Sequence, residues 1–389
     1  MKRILRSFTR SKITHFKQSC NASPDRRTKT IILILYLCFR FHTSSAQLAN
    51  QTLEQRFWFD STQKLTFRIH SLGFVRNNEY FSPIADGYTL FGYQLNPRIA
   101  YRSAPNVVLE AGVFFQKDFG QDRITQLAPT ATVKFSHRNW NYLFGTLEGS
   151  VSHRLIEPLY NIERLLRQRI ENGLQINHLT DRLFFDFWIS YLQNTLPGYT
   201  RQEHFWGGIS AEPQLGKRSR KSGWALSIPV QLTVFHAGGQ NINSALPVRT
   251  AVNAAGSLSL TWRNGADHFF RSARLDPYFV GYTENAAKPY SGGAFYPNLT
   301  FHLKPLTVLF SYWNGNHYRA ELGGDLYQSY TRRYNSTDQE PHRKLLIVRF
   351  LKDIKITDGL GVTVRFEPHY DFVNHLFEHS EGIYVWFNH

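Results

Sequence analysis

The feature that most constrains this chain is hydrophobic alternation with period two, sustained from about residue 64 to the end and broken at short intervals by turn dipeptides. In Lys64–His70, Leu65, Phe67 and Ile69 alternate with Lys64, Thr66, Arg68 and His70. In Thr130–Ser136, Ala131, Val133 and Phe135 alternate with Thr132 and Lys134. The same rhythm carries Arg182–Ser190 and Leu360–Tyr370. Successive side chains of a strand point to opposite faces, so each segment has one apolar and one polar face. The turn signals are Asn77-Asn78, Arg138-Asn139, Asn264-Gly265, Lys304-Pro305, Asn314-Gly315 and Asp358-Gly359. Asn-Gly and Asp-Gly favour the tight turns that close hairpins. Longer polar connections are expected around 194–201, 216–223, 237–244, 284–293 and 332–342.

Two architectures use such strands. A soluble sandwich or propeller would turn its polar faces to water. A transmembrane antiparallel β-barrel would turn its apolar faces to lipid, with short turns at one end and long loops at the other. The aromatics favour the barrel. The chain has 8 Trp, 20 Tyr and 31 Phe, and these gather near strand ends, as in Phe57-Trp58-Phe59, Tyr88, Phe91, Tyr93, Trp140, Tyr142, Phe205-Trp206 and Tyr312-Trp313. Rings with an apolar body and a wet edge belong at membrane interfaces. Mean hydropathy is -0.37, and no stretch after residue 46 approaches the ~18 apolar residues of a membrane helix. The expected fold is all-β: a barrel of about 16 strands.

Residues 1–46 read as a leader, leaving 47–389 as the barrel. A basic stretch precedes the apolar run Ile31–Phe39, and Ser44-Ser45-Ala46 supplies small residues for a cut after Ala46. An Arg- and Ser-rich mitochondrial transit peptide is the competing reading. Nine of the sixteen formal positive charges sit in this leader, as do both cysteines, Cys20 and Cys38. The mature chain then has no thiol, disulfide or cysteine metal site, as suits an oxidising compartment.

The signal segment, the Cys-free mature chain, the hairpin repeats and the aromatic last strand Gly382–Phe387 together resemble the Gram-negative outer-membrane β-barrels, as a porin-like class. Tyr384, Trp386 and Phe387 resemble the C-terminal signal read by the barrel-insertion machinery, although Asn388-His389 follow where such chains usually stop. The resemblance implies outer-membrane location and contact with lipid and lipopolysaccharide.

One segment departs from the rhythm. Leu159, Ile162, Leu166 and Ile170 fall at helical spacing, Glu163 precedes Arg167 by four, and Asn161 can cap, which predicts a short helix near 159–171. It is either a rim helix or a plug folded into the lumen. His153, Glu157 and Glu163 are candidates for a constriction.

Chemistry is sparser. Ser136-His137, Ser152-His153 and His379-Ser380 are adjacent pairs, so on a strand they face opposite ways and form no dyad. Glu367, His369 and Asp371 share a face and could hold a cation, but satisfied wall residues are the simpler reading, and no metal, cofactor or catalytic residue is assigned. No phosphate loop, CxxC, nucleophile elbow or calcium loop occurs. The expected lumen wall carries Lys64, Arg68, Lys134, Arg169, Arg182 and Arg365 against Glu171, Asp186 and Glu367, a slight anion preference. The loop Gly216–Ser222 holds four cations and would suit lipopolysaccharide phosphates if extracellular; nucleic acid is not an expected partner. The leading expectation is a pore for small hydrophilic solutes. The alternatives are a rim-site hydrolase acting on lipid, and a plugged scaffold. The strand Leu345–Leu351, apolar on both faces, points to contact with a plug or a second protomer.

Overall fold

A computed structural model describes residues 50–54, 56, 64–215, 222–239, 244–285, 290–333 and 336–389. The leader, Phe57-Trp58-Phe59 and the basic stretch 216–221 lie outside them.

Eighteen β-stretches hydrogen-bond in one continuous antiparallel sheet. They are β1 (Leu65–Glu79), β2 (Tyr88–Ala104), β3 (Val107–Asp118), β4 (Gln126–His137), β5 (Trp140–Thr146), β6 (Asn172–Leu179), β7 (Leu183–Gln193), β8 (Glu203–Leu215) and β9 (Gly223–Ser227). They continue with β10 (Val230–Gly238), β11 (Arg249–Gly256), β12 (Ser259–Arg263), β13 (Phe270–Asn285), β14 (Tyr290–Leu303), β15 (Thr307–Asn316), β16 (His342–Thr357), β17 (Leu360–Asp371) and β18 (Leu376–Asn388). β8 pairs with both β9 and β10, and β13 with both β11 and β12. Each of those two pairs is therefore one wall strand in two stretches, and the barrel has 16 strands. Pro229 explains the break, because it cannot donate to the ladder; its carbonyl instead accepts Ser257 N–H at 3.0 Å.

The barrel closes where β1 pairs with β18, from His70 opposite Asn388 to Glu79 opposite His379. The two residues after Phe387 extend that seam: Ile69 and His389 exchange both backbone hydrogen bonds at 3.0 Å. Two of the six expected turns are instead strand interior. Asn77-Asn78 lies in β1 and Asn314-Gly315 in β15, because cross-strand pairing overrides local turn preference. Asp358-Gly359 and Asn264-Gly265 are turns, with Gly359 at φ 83° and Gly265 at φ 99°.

The alternation resolves as the barrel requires. Phe67, Phe91, Leu127, Phe144, Phe279 and Phe377 are each more than half exposed on the outer wall, which is the face that meets hydrocarbon. Aromatic rings gather at both rims: Trp140 with Phe185 and Trp262 with Phe270 at one end, Phe91 with Phe119 and Tyr370 with Phe372 at the other. The second end carries the long connections, 147–171 and 317–341, so it is the outward-facing end of an outer-membrane barrel.

Candidate functional site

The lumen is occupied. Residues 147–171, between β5 and β6, fold inward with Leu159, Leu165, Leu166 and Tyr160 each at most 3% exposed. The expected helix shrinks to one turn, α1 (Arg164–Arg167); Asn161 Oδ1 accepts Glu163 N–H at 2.9 Å at its start. Loop 317–341 joins from β15–β16 and buries Tyr318, Leu322 and Tyr327. These two segments explain the doubly apolar strand: Leu345 and Ile347 of β16 pack inward in the same cluster as Leu322 and Tyr327, while Leu346 and Phe350 face out.

Three arginines clamp the inward segment to the wall. Glu157 accepts from Arg349 and from Arg365 NH2 (3.1 Å). Glu367 of β17 accepts from Arg349 Nε (2.9 Å), Arg365 Nε (2.6 Å) and Arg76 NH1 (3.3 Å). Arg76 Nε also reaches Glu163 Oε1 at 3.0 Å, which Asn78 shares at 2.7 Å. Glu163 therefore turns to the wall and to the Tyr88 hydroxyl, not to Arg167. His153 lies between Asp186 (Nδ1, 2.6 Å) and Glu171 (Nε2, 3.1 Å) and stacks on Trp188 at 3.8 Å. Burial alone would lower its pKa, but Glu171 and Asp186 outweigh that and raise it to about 9. Glu171 is held below the usual carboxylate range: burial opposes this, and His153 outweighs it.

The expected wall charges divide. Arg68 pairs with Glu110 at 2.5 Å, Lys134 with Glu148 at 3.5 Å, and Asp186, Arg365 and Glu367 are buried inward as described. Lys64 and Arg182 are instead exposed at the short-turn rim, outside the strands. Arg169 and Glu171 precede β6 and belong to the inward segment; Arg169 NH1 donates to Gln94 at 3.0 Å. Glu367, His369 and Asp371 do share a face, but each has its own partner: the arginines, Glu378 (2.9 Å) and Arg343 (2.9 Å). Among the described residues no group of His, Cys, Asp and Glu is arranged to hold a metal. Ser152 and His153 are both buried in one turn, so the strand-face argument does not apply there, yet both His153 nitrogens are committed to carboxylates.

The outer wall holds a feature that alternation did not suggest. At the seam of β2, β1 and β18, the outward positions Thr89, Asn77, Glu79, His379 and Glu381 are polar and hydrogen-bonded together. Asn77 stands opposite Thr89 on one side and Glu381 on the other, and Glu79 stands opposite His379. Asn77 Nδ2 donates to Glu79 (2.7 Å) and Glu381 (3.2 Å), and its Oδ1 accepts from Thr89 (2.7 Å). His379 Nδ1 meets Glu381 Oε2 at 2.9 Å, with side chains 34% and 46% exposed. Apolar side chains bound this island: Phe81 and Phe377 toward the rim, Phe91, Ile383 and Val385 away from it, all exposed. It is a hydrogen-bonded polar cluster on the outer face, near the strand ends at the level of the outward aromatic rim. His379 and Ser380 face opposite ways, as expected: Ser380 is buried inside, receiving Arg76 NH2 at 3.1 Å. The partner of the imidazole is two residues on, at Glu381. Polar residues in the apolar phase of β18 were the signal that could have shown it.

A His–Glu pair of this kind orients an imidazole. With Nδ1–H donated to Glu381, the neutral ring leaves Nε2 as an acceptor able to take a proton from water. Comparison with known families decides which lineage carries this wall: residues 57–389 match the family described as lipid A 3'-O-deacylase-type. The chain belongs to that family. No curated protein matches it. Among solved structures, this deacylase-type chain is similar to Pseudomonas aeruginosa OpdL, with TM-score 0.50 and 11% identity over 84% of this chain and 98% of that one. It is also similar to P. aeruginosa OprD, with TM-score 0.47 and 8% identity over 84% and 95%, and to a Rh. blastica porin variant, with TM-score 0.45 and 11% identity over 84% and 100%. At such identities the likeness is one of fold: a porin-like barrel wall.

Proposed function

We propose that this chain is an outer-membrane enzyme that hydrolyses an acyl ester of an outer-leaflet lipid at the polar island of β2, β1 and β18. The observation that carries the reading is the His379–Glu381 pair with Glu79, Asn77 and Thr89, a hydrogen-bonded cluster on the outer face beside the outward rim. The family's name supplies the substrate class, a 3'-O-linked acyl chain of lipid A. In this reading His379 Nε2 takes a proton from the attacking water, Glu381 holds the ring, and Asn77 fixes both carboxylates. The exported chain, cut after Ala46, would reach the membrane through the insertion machinery that reads Tyr384, Trp386 and Phe387.

The test is to fold residues 47–389 into vesicles containing lipopolysaccharide and follow the mass of lipid A. Loss of one acyl chain is expected, with His379→Ala and Glu381→Gln slower by roughly 10²–10⁴-fold, the usual weight of a general base. Unaltered lipid A with the folded wild-type chain would remove the reading.

A channel for small hydrophilic solutes is the second reading. It is favoured by the strand number, since lumens wide enough for water belong to barrels of about 16–18 strands, and by an interior pocket lined by Asn298, Thr300, Tyr278 and Glu157. The slight anion preference belongs to this reading and predicts an anion-signed reversal potential under a salt gradient.

A further inference from the structure

Residues 50–54 and Arg56 lie inside the barrel, ahead of β1, and touch both the wall and the inward segment. Asn50 Oδ1 accepts from Arg365 of β17. Thr52 Oγ1 donates to Asp353 at 3.2 Å and lies 3.2 Å from Thr363 Oγ1. Leu53, 3% exposed, packs in one apolar cluster with Val151, Ile162 and Leu165 of the inward segment. Glu54 receives Arg154 Nε at 2.8 Å and Arg56 NH2 at 2.9 Å. Arg56 in turn donates to Glu148 and to the Ser152 carbonyl, both at 3.0 Å.

What this strap grips is strained backbone. Ser150 and Arg154 have φ of 54° and 55°, a region that L-residues occupy only when their surroundings enforce it. The strap supplies two of those enforcing contacts: Arg154 is tied to Glu54, and the Ser152 carbonyl between the strained residues is tied to Arg56. The guanidinium of Arg154 also lies 4.5 Å from the centre of the Phe184 ring of β7. The segment this turn begins is the one that fills the lumen.

We propose that residues 50–54 and Arg56 are an internal bolt, which holds segment 147–171 across the lumen and whose withdrawal lets the turn at 149–154 relax and the segment leave its place. The early residues of the exported chain then set whether the barrel conducts. This does not depend on the hydrolase reading, since lipid turnover at the outer wall requires no passage through the lumen.

The experiment compares residues 47–389 with a chain lacking 47–56, and with Leu53→Asp and Arg56→Ala in the full chain, by ion flux in planar bilayers. Heat-modifiable electrophoretic mobility identifies variants that fold, and the two substitutions stand in if the deletion does not. The expected result is a conducting state populated at least roughly tenfold more often in the folded variants, one decade of a two-state equilibrium. Flux equal to that of the intact chain in the folded variants would overturn the bolt. Lipid A mass in the same vesicles reports on the hydrolase separately.

Discussion

Both ring nitrogens of His153 face carboxylates, so both must donate, and the ring is an imidazolium in the folded protein. Its pKa is raised above the ordinary 6.5 to about 9. The resulting stabilisation is complete below about pH 6.5 and is lost as pH rises through about 9. Urea unfolding of refolded barrel from pH 6 to 10 should show this decline, and His153→Gln should flatten it; equal slopes would rule the linkage out. Arg349 is a second such residue. Replacing it with Met leaves Glu157 and Glu367 each without one buried cation, a loss of about 3–5 kcal/mol expected in the same unfolding assay. Neither residue's partner was evident from sequence, because Arg349 sits in a run that reads as apolar and His153 reaches Asp186 across a segment with no periodicity.

At the scale of the element, β16 shows how alternation is read once a second surface is known. Leu345, Ile347, Arg349 and Leu351 are buried inward, and Leu346, Val348 and Phe350 face lipid. Val348→Arg should therefore cost about 2–4 kcal/mol if it lies near the bilayer midplane, whereas a position near the rim would cost far less. Refolding yield into lipid vesicles measures it. Segment 147–171 is the other informative element. Deleting residues 156–168 removes Glu157 and Glu163, two acceptors of the arginine clamp, and larger single-channel conductance is the expected outcome; an unchanged value would mean that loop 317–341 seals the lumen alone. Its helical spacing was legible in the sequence, but only one turn of helix forms. Its apolar side chains are satisfied by the barrel interior on several sides, so no single helical face has to be maintained.

For the whole molecule, the alternation of Lys64–His70, Thr130–Ser136 and Leu360–Tyr370 was enough to define a closed sheet with lipid outside, because side-chain direction along a strand is local geometry. So was the approximate strand number; of the aromatics expected at the rims, Trp206 and Trp313 are instead buried in the lumen. The turn dipeptides were less faithful: Asn77-Asn78 and Asn314-Gly315 were overruled by pairing, with Glu381 opposite Asn77 and Arg343 opposite Gly315, 304 and 28 positions away. What surrounds each inward charge is not local at all. Arg76 meets Glu163 and Glu367, and Asn77 meets Thr89 and Glu381, only because β1 closes on β18 and the chain between β5 and β6 folds back through the lumen. The sequence by itself thus determined which residues could face water-filled or lipid-facing space; tertiary structure decided that the inner space is occupied and that five polar side chains converge on the outer wall. The physical reason is range: strand periodicity is set by neighbours in the chain, whereas ion pairing and burial depend on residues brought together by closure.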